Sequence, residues 1–519
     1  MEQKKRICDS GYCDRCSALS LLQYSNASIL KGPAIDDLLS INNLWGPKIA
    51  RFLIYWPIVS LPLILGSARP FLWGFIASVF LAGFALLILT SGETSGKGEM
   101  KKQQAGRRNG KFAWLPELFN PRWLFVSIVA YPFFQVIPLP LPVIRVLSPH
   151  RAQWLQKAME ATGRSRWWAS LSYVPMDTVA RGLWILTLLL FALLLDRCLR
   201  DGTIRLGGLL GVLSVIAGFE ALFGLLQVLV PSTGLGFQLG CATGTFANYD
   251  HYAAFLGMIW PLQLVWLWRM GTRDREKKAS SFEEREWRRN TREKQVFFLF
   301  LTGIVLLGLI FSESRGGIIA LAVGMTVLAY LGGKGGKSVL LILIACWAII
   351  LIYGSMIGFE SIIERFMETA RDAPGRFRIW QFTWKMIRDH WLTGTGVGTY
   401  HAVIFVYQFF DTDRLQIFAA HNDYLQTVSD WGLPFGLTII ALVWGYWWSR
   451  AIRIWRQKAG EKNFPGADER LIRIGALAGS ASLLAHCWVE FNMRIPANQL
   501  YFVILLVLMS YRRGETAHS

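Results

Sequence analysis

Six residues, Ser312-Glu313-Ser314-Arg315-Gly316-Gly317, break an apolar stretch that otherwise runs from Val296 to Leu331. An arginine at such a position is costly unless it is paired or faces a water-filled cavity. The two glycines behind it let backbone or a ligand approach closely. A guanidinium in that setting suits the bidentate grip of phosphate oxygens. The plainer alternative is a turn whose Arg315 snorkels to lipid headgroups. A second constellation is Ala420-His421-Asn422-Asp423-Tyr424-Leu425-Gln426, followed by Asp430-Trp431-Gly432-Leu433-Pro434. His421 has the side chain best suited to proton transfer near neutral pH, and Asn422 and Asp423 can orient it. A third is the short polar turn Glu490-Phe491-Asn492-Met493-Arg494-Ile495-Pro496, which also reads as an interfacial anchor. Upstream, Gly244-Thr245-Phe246-Ala247-Asn248-Tyr249-Asp250-His251 precedes another apolar run. The glycines of Gly394-Thr395-Gly396-Val397-Gly398 do not follow a strand, so a dinucleotide site is not expected there.

These residues need elements to hold them, and composition says which. The chain has 519 residues, 53% hydrophobic and 17% charged, with a formal net charge of +19. A soluble domain carries about 25% charged residues. The composition argues against a disordered chain, a disulfide scaffold or an ordinary soluble enzyme. About twelve apolar runs lie between Arg51 and Tyr511, several near the roughly 20 residues a bilayer-crossing helix needs. The expected fold is therefore an all-α polytopic membrane protein of about 12 transmembrane helices. Residues 1–43 form an N-terminal tail, 44–511 the membrane domain and 512–519 a C-terminal tail. The connections Gly92–Lys111, Asp196–Arg205, Arg269–Lys294, Lys334–Lys337 and Arg450–Arg473 alternate to one side and hold 6, 3, 10, 2 and 7 Lys or Arg. The positive-inside rule makes that side, with both termini, the cytosol. The charge excess is then an orientation signal and calls for no nucleic acid partner.

Two long segments fall on the outer face, Ser148–Arg181 and Phe359–Gly432. Long loops in compact proteins tend to carry function. The second is expected to contain amphipathic helices, such as Arg376–His390 with Phe377, Trp380, Trp384 and Ile387 on one face. Its arginines and lysines, Arg365, Arg371, Arg376, Arg378, Lys385, Arg388 and Arg414, are partly a solvated face and partly candidates for phosphate. Trp167 and Trp168 beside Arg164 and Arg166 suit either a membrane interface or stacking on sugar rings. Cys8, Cys13 and Cys16 lack a nearby fourth ligand, so reduced cytosolic thiols are the simpler reading than zinc.

Taken together, the Ser312–Gly317 hairpin, the His421–Gln426 segment, the Gly244–Tyr252 segment, the Arg378, Trp380 and Gly394–Gly398 stretch, and Glu490–Asn492 with Ile495–Asn498 resemble one family. It is the O-antigen ligase and O-antigen polymerase superfamily, bacterial membrane glycosyltransferases of the C-type fold. The resemblance covers roughly residues 120–511. It implies transfer of glycan from an undecaprenyl diphosphate carrier onto an acceptor sugar, lipid A–core or a second lipid-linked unit, at the outer face of the inner membrane. It implies no metal and no cofactor, and inversion at the anomeric carbon. By motif, Arg315 matches the family's diphosphate-binding arginine and His421 its catalytic histidine. Candidate substrate-binding residues are Ser314, Arg376, Arg378, Asn422, Asp423, Tyr424, Asn248, His251, Glu490 and Arg494. The family's second arginine has no counterpart in Gly244–His251, and Arg378, Arg376 or Arg181 can stand in for it. Other readings are protein O-glycosylation, a transporter or flippase of the same lipid-linked glycan, in which Glu220 would be a midplane charge, or a non-catalytic envelope scaffold.

Overall fold

The computed structural model describes residues 46–64, 66, 69–91, 121–165, 167–230, 240–276, 282–332, 344, 375–408, 417–456 and 467–511. The two tails, with Cys8, Cys13 and Cys16, lie outside the described residues. So do Arg365, Arg371, Arg414 and most of the apolar run Ser338–Gly358.

The described chain is dominated by helices. In order they are α1 (Gly46–Leu63), α2 (Pro70–Ser91), α3 (Pro121–Val136), α4 (Leu141–Leu147), α5 (Pro149–Thr162), α6 (Pro175–Arg200) and α7 (Leu206–Leu229). They continue with α8 (Tyr249–Glu276), α9 (Phe282–Phe311) and α10 (Arg315–Gly332). A further helix, α11, covers 375–389, followed by α12 (Tyr400–Gln408) and α13 (Asp423–Trp431). The last are α14 (Leu433–Arg456), α15 (Ala467–His486) and α16 (Pro496–Leu508). Among the described residues the all-α expectation holds except for one two-residue antiparallel pair, Leu139 opposite Ala169 and Pro140 opposite Trp168.

Among the described residues, five helices are long and apolar enough to cross a bilayer on length and composition: Pro70–Leu89, Pro175–Arg200, Leu206–Leu229, Arg292–Phe311 and Arg315–Gly332. That is fewer than the twelve expected. Val126–Val136 and Pro496–Leu508 are apolar but shorter. The expected run Leu183–Leu195 is the middle of the longer α6, which starts at Pro175 because proline suits the first turn of a helix.

Three helices position the site: α8, α10 and α15 pack on one another. Their contact faces carry small residues, which let helix backbones approach. A Cβ on Gly479 of α15 would collide with the Met258 carbonyl of α8, and one on Gly324 of α10 would sit 2.7 Å from the Ala478 carbonyl. In α10 the buried residues Gly317, Ala320, Leu321, Gly324, Met325, Leu328 and Leu331 recur every three or four positions, one helical stripe. This packing brings the start of α8, the start of α10 and the end of α15 together at one end of the bundle.

The two long segments that follow α3 and precede α13 are joined to each other as well. His390 is buried, with Ser148 Oγ 3.3 Å from its Nδ1 and Tyr173 OH 3.3 Å from its Nε2. Burial, followed by the charge of His150, pushes His390 down to about 4, which keeps its ring neutral at physiological pH.

The glycine-rich stretch is a clasp in this joint. Thr395 N–H donates to Ser429 O (3.1 Å), Gly396 N–H to Asp430 O (3.2 Å) and Gly398 N–H to Asp430 Oδ2 (3.1 Å). Gln135 closes it from α3, donating to Thr393 O at 2.8 Å and accepting from Val397 N–H at 3.0 Å. Gly394 has φ +67° and leaves no space for a Cβ beside Asp430 O. Gly394→Ala is therefore expected to cost about 1–3 kcal/mol, the range for a strained left-handed residue, before the collision is counted. The check is the melting temperature and the folded yield of the purified variant.

Candidate active site

His421 sits two residues before α13, next to its cap. Asn422 caps that helix, its Oδ1 accepting from Leu425 N–H at 3.0 Å, and its Nδ2 donates to Trp488 O at 3.0 Å. The cap fixes the backbone turn, and His421 is driven into the left-handed region at φ +47°. Non-glycine residues held there cost free energy and persist only when the surroundings impose them. Here Trp380 Nε1 donates to Ala420 O (3.0 Å), and Ala420 N–H donates to Gln426 Oε1 (3.1 Å).

The imidazole faces Glu490. Its Nδ1 lies 2.6 Å from Glu490 Oε1 and 3.2 Å from Oε2. A carboxylate can only accept, so the proton belongs on Nδ1, and Nε2 keeps its lone pair. The His421 side chain is 32% exposed, whereas that of Glu490 is 2% exposed. Phe491 stands edge-on to the His421 ring at 5.0 Å. Arg376, at the start of α11, places Nη2 3.4 Å from Glu490 Oε1, with its side chain 41% exposed. Burial raises the Glu490 carboxyl, but the hydrogen bond and charge of His421, aided by His251 and Arg376, more than offset that and hold it below the usual glutamate value. Glu490, assigned from sequence as a substrate contact, is thus the residue that orients His421. Asn422 and Asp423 take other partners.

A folded value below the unfolded one means stability that is present above the ordinary glutamate pKa of about 4.3 and is lost as pH falls through the lower folded value. Glu490→Gln is therefore expected to narrow its stability gap to the parent protein in that acidic window and to keep the gap constant at neutral pH. Thermal melts of both proteins across pH read this directly.

The arginine hairpin shares this rim. Ser314 Oγ donates to Asp250 Oδ1 at 2.5 Å and accepts from Gly317 N–H at 3.0 Å, tying the start of α10 to the start of α8. Asn248 Oδ1 accepts from Asp250 N–H at 2.7 Å. The His486 ring packs on Gly316, whose Cβ would lie 2.7 Å from His486 Nε2 and 3.3 Å from Val489. Glu490 N–H donates to His486 O at 3.1 Å. Arg315, partly buried, thus begins its helix next to the turn that supplies Glu490. Asp250 is within electrostatic reach of Glu490, Arg376 and His421.

Several candidates are committed to the protein itself. Ser314 is fully buried with its hydroxyl used as above. His251 Nδ1 is 3.0 Å from Asn492 Oδ1, and its ring stands edge-on to Phe491 at 4.5 Å. Tyr424 OH donates to Leu484 O at 2.8 Å. Asp423 accepts from Met493 N–H at 2.7 Å and faces Arg494 at 3.9 Å. Burial pushes the Asp423 carboxyl up, with Arg494 and the Met493 N–H opposing. Arg494 Nη1 donates to the buried Asp430 at 2.8 Å. These residues shape the site rather than line it. Arg181 lies over the Trp73 ring at 4.8 Å, within electrostatic reach of the Arg494–Asp430 pair. Of the three arginines offered as stand-ins for the family's second one, Arg376 is the one whose guanidinium reaches Glu490. Arg378 is exposed on α11.

Glu220, the charge a transporter would place near the midplane, is a staple. Thr245 N–H and Oγ1 both lie 2.8 Å from its carboxyl, and Gln227 two turns later bonds Gly244 O at 2.7 Å. In the sequence Asp250 and Asp430 read only as members of their motifs, without a role of their own. Their only signal is a carboxylate placed at the end of an apolar run.

Fold and site together define a multi-pass helical membrane protein whose helix ends gather a histidine–glutamate pair among arginines. Residues 298–441 match the family model of the O-antigen ligase, so that this segment of the chain is similar to that family. The matched segment contains Arg315, Arg376 and His421, with Glu490 beyond its end. No curated protein matches the chain.

Proposed function

We propose that this protein transfers or polymerises glycan from an undecaprenyl diphosphate-linked donor onto an acceptor sugar at the outer face of the inner membrane. The observation that carries the reading is the His421–Glu490 pair, set beside Arg376 and on the same rim as Arg315. His421 Nε2 takes the proton of the acceptor hydroxyl as its oxygen attacks the anomeric carbon. The bond from that carbon to the diphosphate oxygen breaks, and the diphosphate leaves on its lipid. Glu490 stabilises the imidazolium that forms. Arg315, with Arg376, balances the charge that gathers on the leaving oxygens. Attack from the face opposite the leaving group inverts the anomeric centre. The lipid and acceptor enter from the bilayer and the outer face, where both outer segments converge.

Product analysis of a deletion strain tests the reading. A ligase leaves long glycan on its polyprenyl carrier; a polymerase leaves single repeat units. A deletion strain with unchanged glycan of every class would overturn it.

A further inference from the structure

Helix α11 has two faces. Sequence periodicity placed Phe377, Trp380, Trp384 and Ile387 together, but the structure splits them. Trp380 turns in to bond Ala420 O, and Ile387 is buried, while Phe377 is 60% and Trp384 57% exposed. The inner face, with Ile379, Phe382 and Met386, packs on Tyr400, Val403, Ile404 and Ile417. The apolar face the fold requires is therefore already used, and the exposed rings need another reason.

We propose that the exposed face of α11 is a binding track for the acidic glycan portion of the substrate, leading away from His421. Seven residues make nearly two helical turns, so Phe377 and Trp384 align along the axis about 10 Å apart. Trp391, just past the helix, is 52% exposed. Arg388 falls one turn beyond Trp384 on the same line, and its side chain is 73% exposed. Arg378 and Lys385, also exposed, flank the row. Asp389, beside the row, lies 3.7 Å from Arg388 Nε, accepts from Tyr407 OH at 3.1 Å and faces His150; an exposed contact of that length to Arg388 contributes little. The row thus alternates flat rings with cations, a pattern that stacks on sugar rings while pairing with their carboxylates.

A bilayer-facing row would be built otherwise. Interfacial helices put cations on the face opposite the apolar one. Here Arg388 lies within the aromatic row, where contact with hydrocarbon is costly. Continuity fixes the direction, because Arg376, one residue before Phe377, reaches Glu490. The proposal deepens the glycan-transfer reading and rests on it for the identity of the substrate.

The test uses the full chain in phosphatidylcholine nanodiscs, with oligogalacturonate as the acidic probe and a dextran oligomer as the neutral one. The wild type is expected to bind oligogalacturonate more tightly than dextran, with affinity falling as salt rises. Trp384→Ala and Arg388→Ala are each expected to weaken binding about tenfold, the loss of one stacked ring or one charge-assisted contact. Both sit on an exposed face, and monodispersity confirms that they fold. His421→Ala is expected to bind the probe like the wild type, so failure of the track and failure of the catalytic reading stay distinguishable. The proposal is overturned if the wild type does not bind the acidic probe in preference to the neutral one, or if both variants bind like the wild type. It is also overturned if brominated lipids quench a fluorescence component that Trp384→Phe removes, which would put this face on the bilayer.

Discussion

His421→Ala is expected to lower glycan transfer by about 10²–10⁴-fold, the range for loss of a positioned general base. Insertion and the overall fold should be retained, with a modest loss of melting temperature from unpairing the buried Glu490, because the ring is part-exposed and its contacts with Glu490 and Phe491 belong to one turn. The backbone strain at φ +47° is held by the Asn422 cap and by the bonds to Ala420, neither of which uses the imidazole. Glu490→Gln is a sharper companion. An amide can donate to Nδ1 and so favour the tautomer whose proton sits on Nε2, the nitrogen that must accept. Its loss should therefore appear in turnover more than in donor affinity, and the histidine itself would still be present. Initial rates with lipid-linked donor, measured beside Trp-fluorescence melts, separate the two effects. Transfer at a normal rate by His421→Ala would remove the histidine from the mechanism.

The parts of this site differ in how they were written in the chain. His421 and Arg315 were legible because each interrupts an apolar run with a side chain that a plain turn does not need. Both are local features, read from a few neighbouring residues. The pairing of His421 with Glu490 was not legible, since the partners are 69 positions apart and meet only because α13 and the end of α15 pack together. Asp423 and Arg494 stand in motifs that read as substrate contacts, yet their polarity is spent inside the fold. Burial, which decides between these roles, is a property of packing and leaves no mark on residue type. The same holds for α11. Its periodicity gave the helix, but a ring at Phe377 and a ring at Trp380 look alike until the neighbouring α12 shows which side is covered. The fold was legible at its coarsest, as apolar runs of helical length. The finer count was not, because an apolar run in the sequence does not say how long a helix it becomes: five helices among the described residues are long and apolar enough to cross a bilayer, against about twelve runs.

Arg315→Lys is expected to lower transfer by about 10–10³-fold although the charge is retained. A diphosphate presents oxygens in pairs, and the guanidinium fork meets two of them with parallel N–H donors, whereas an ammonium acts as a point charge. The hairpin restricts how far a replacement can compensate. Ser314 is fixed to Asp250, and Gly316 lies under the His486 ring, so the backbone at Arg315 cannot shift toward the ligand to make up for the different reach of lysine. If leaving-group stabilisation is the role of this residue, the loss belongs to kcat, because charge on the diphosphate oxygens grows as the glycosidic bond breaks. Arg315→Ala should then be worse than the lysine variant, while Arg376→Ala, whose guanidinium is shared with Glu490, should lose less than either. A lysine variant with full kcat and a raised KM would mean that Arg315 only holds the donor in place, and that the charge of the transition state is met elsewhere on the rim.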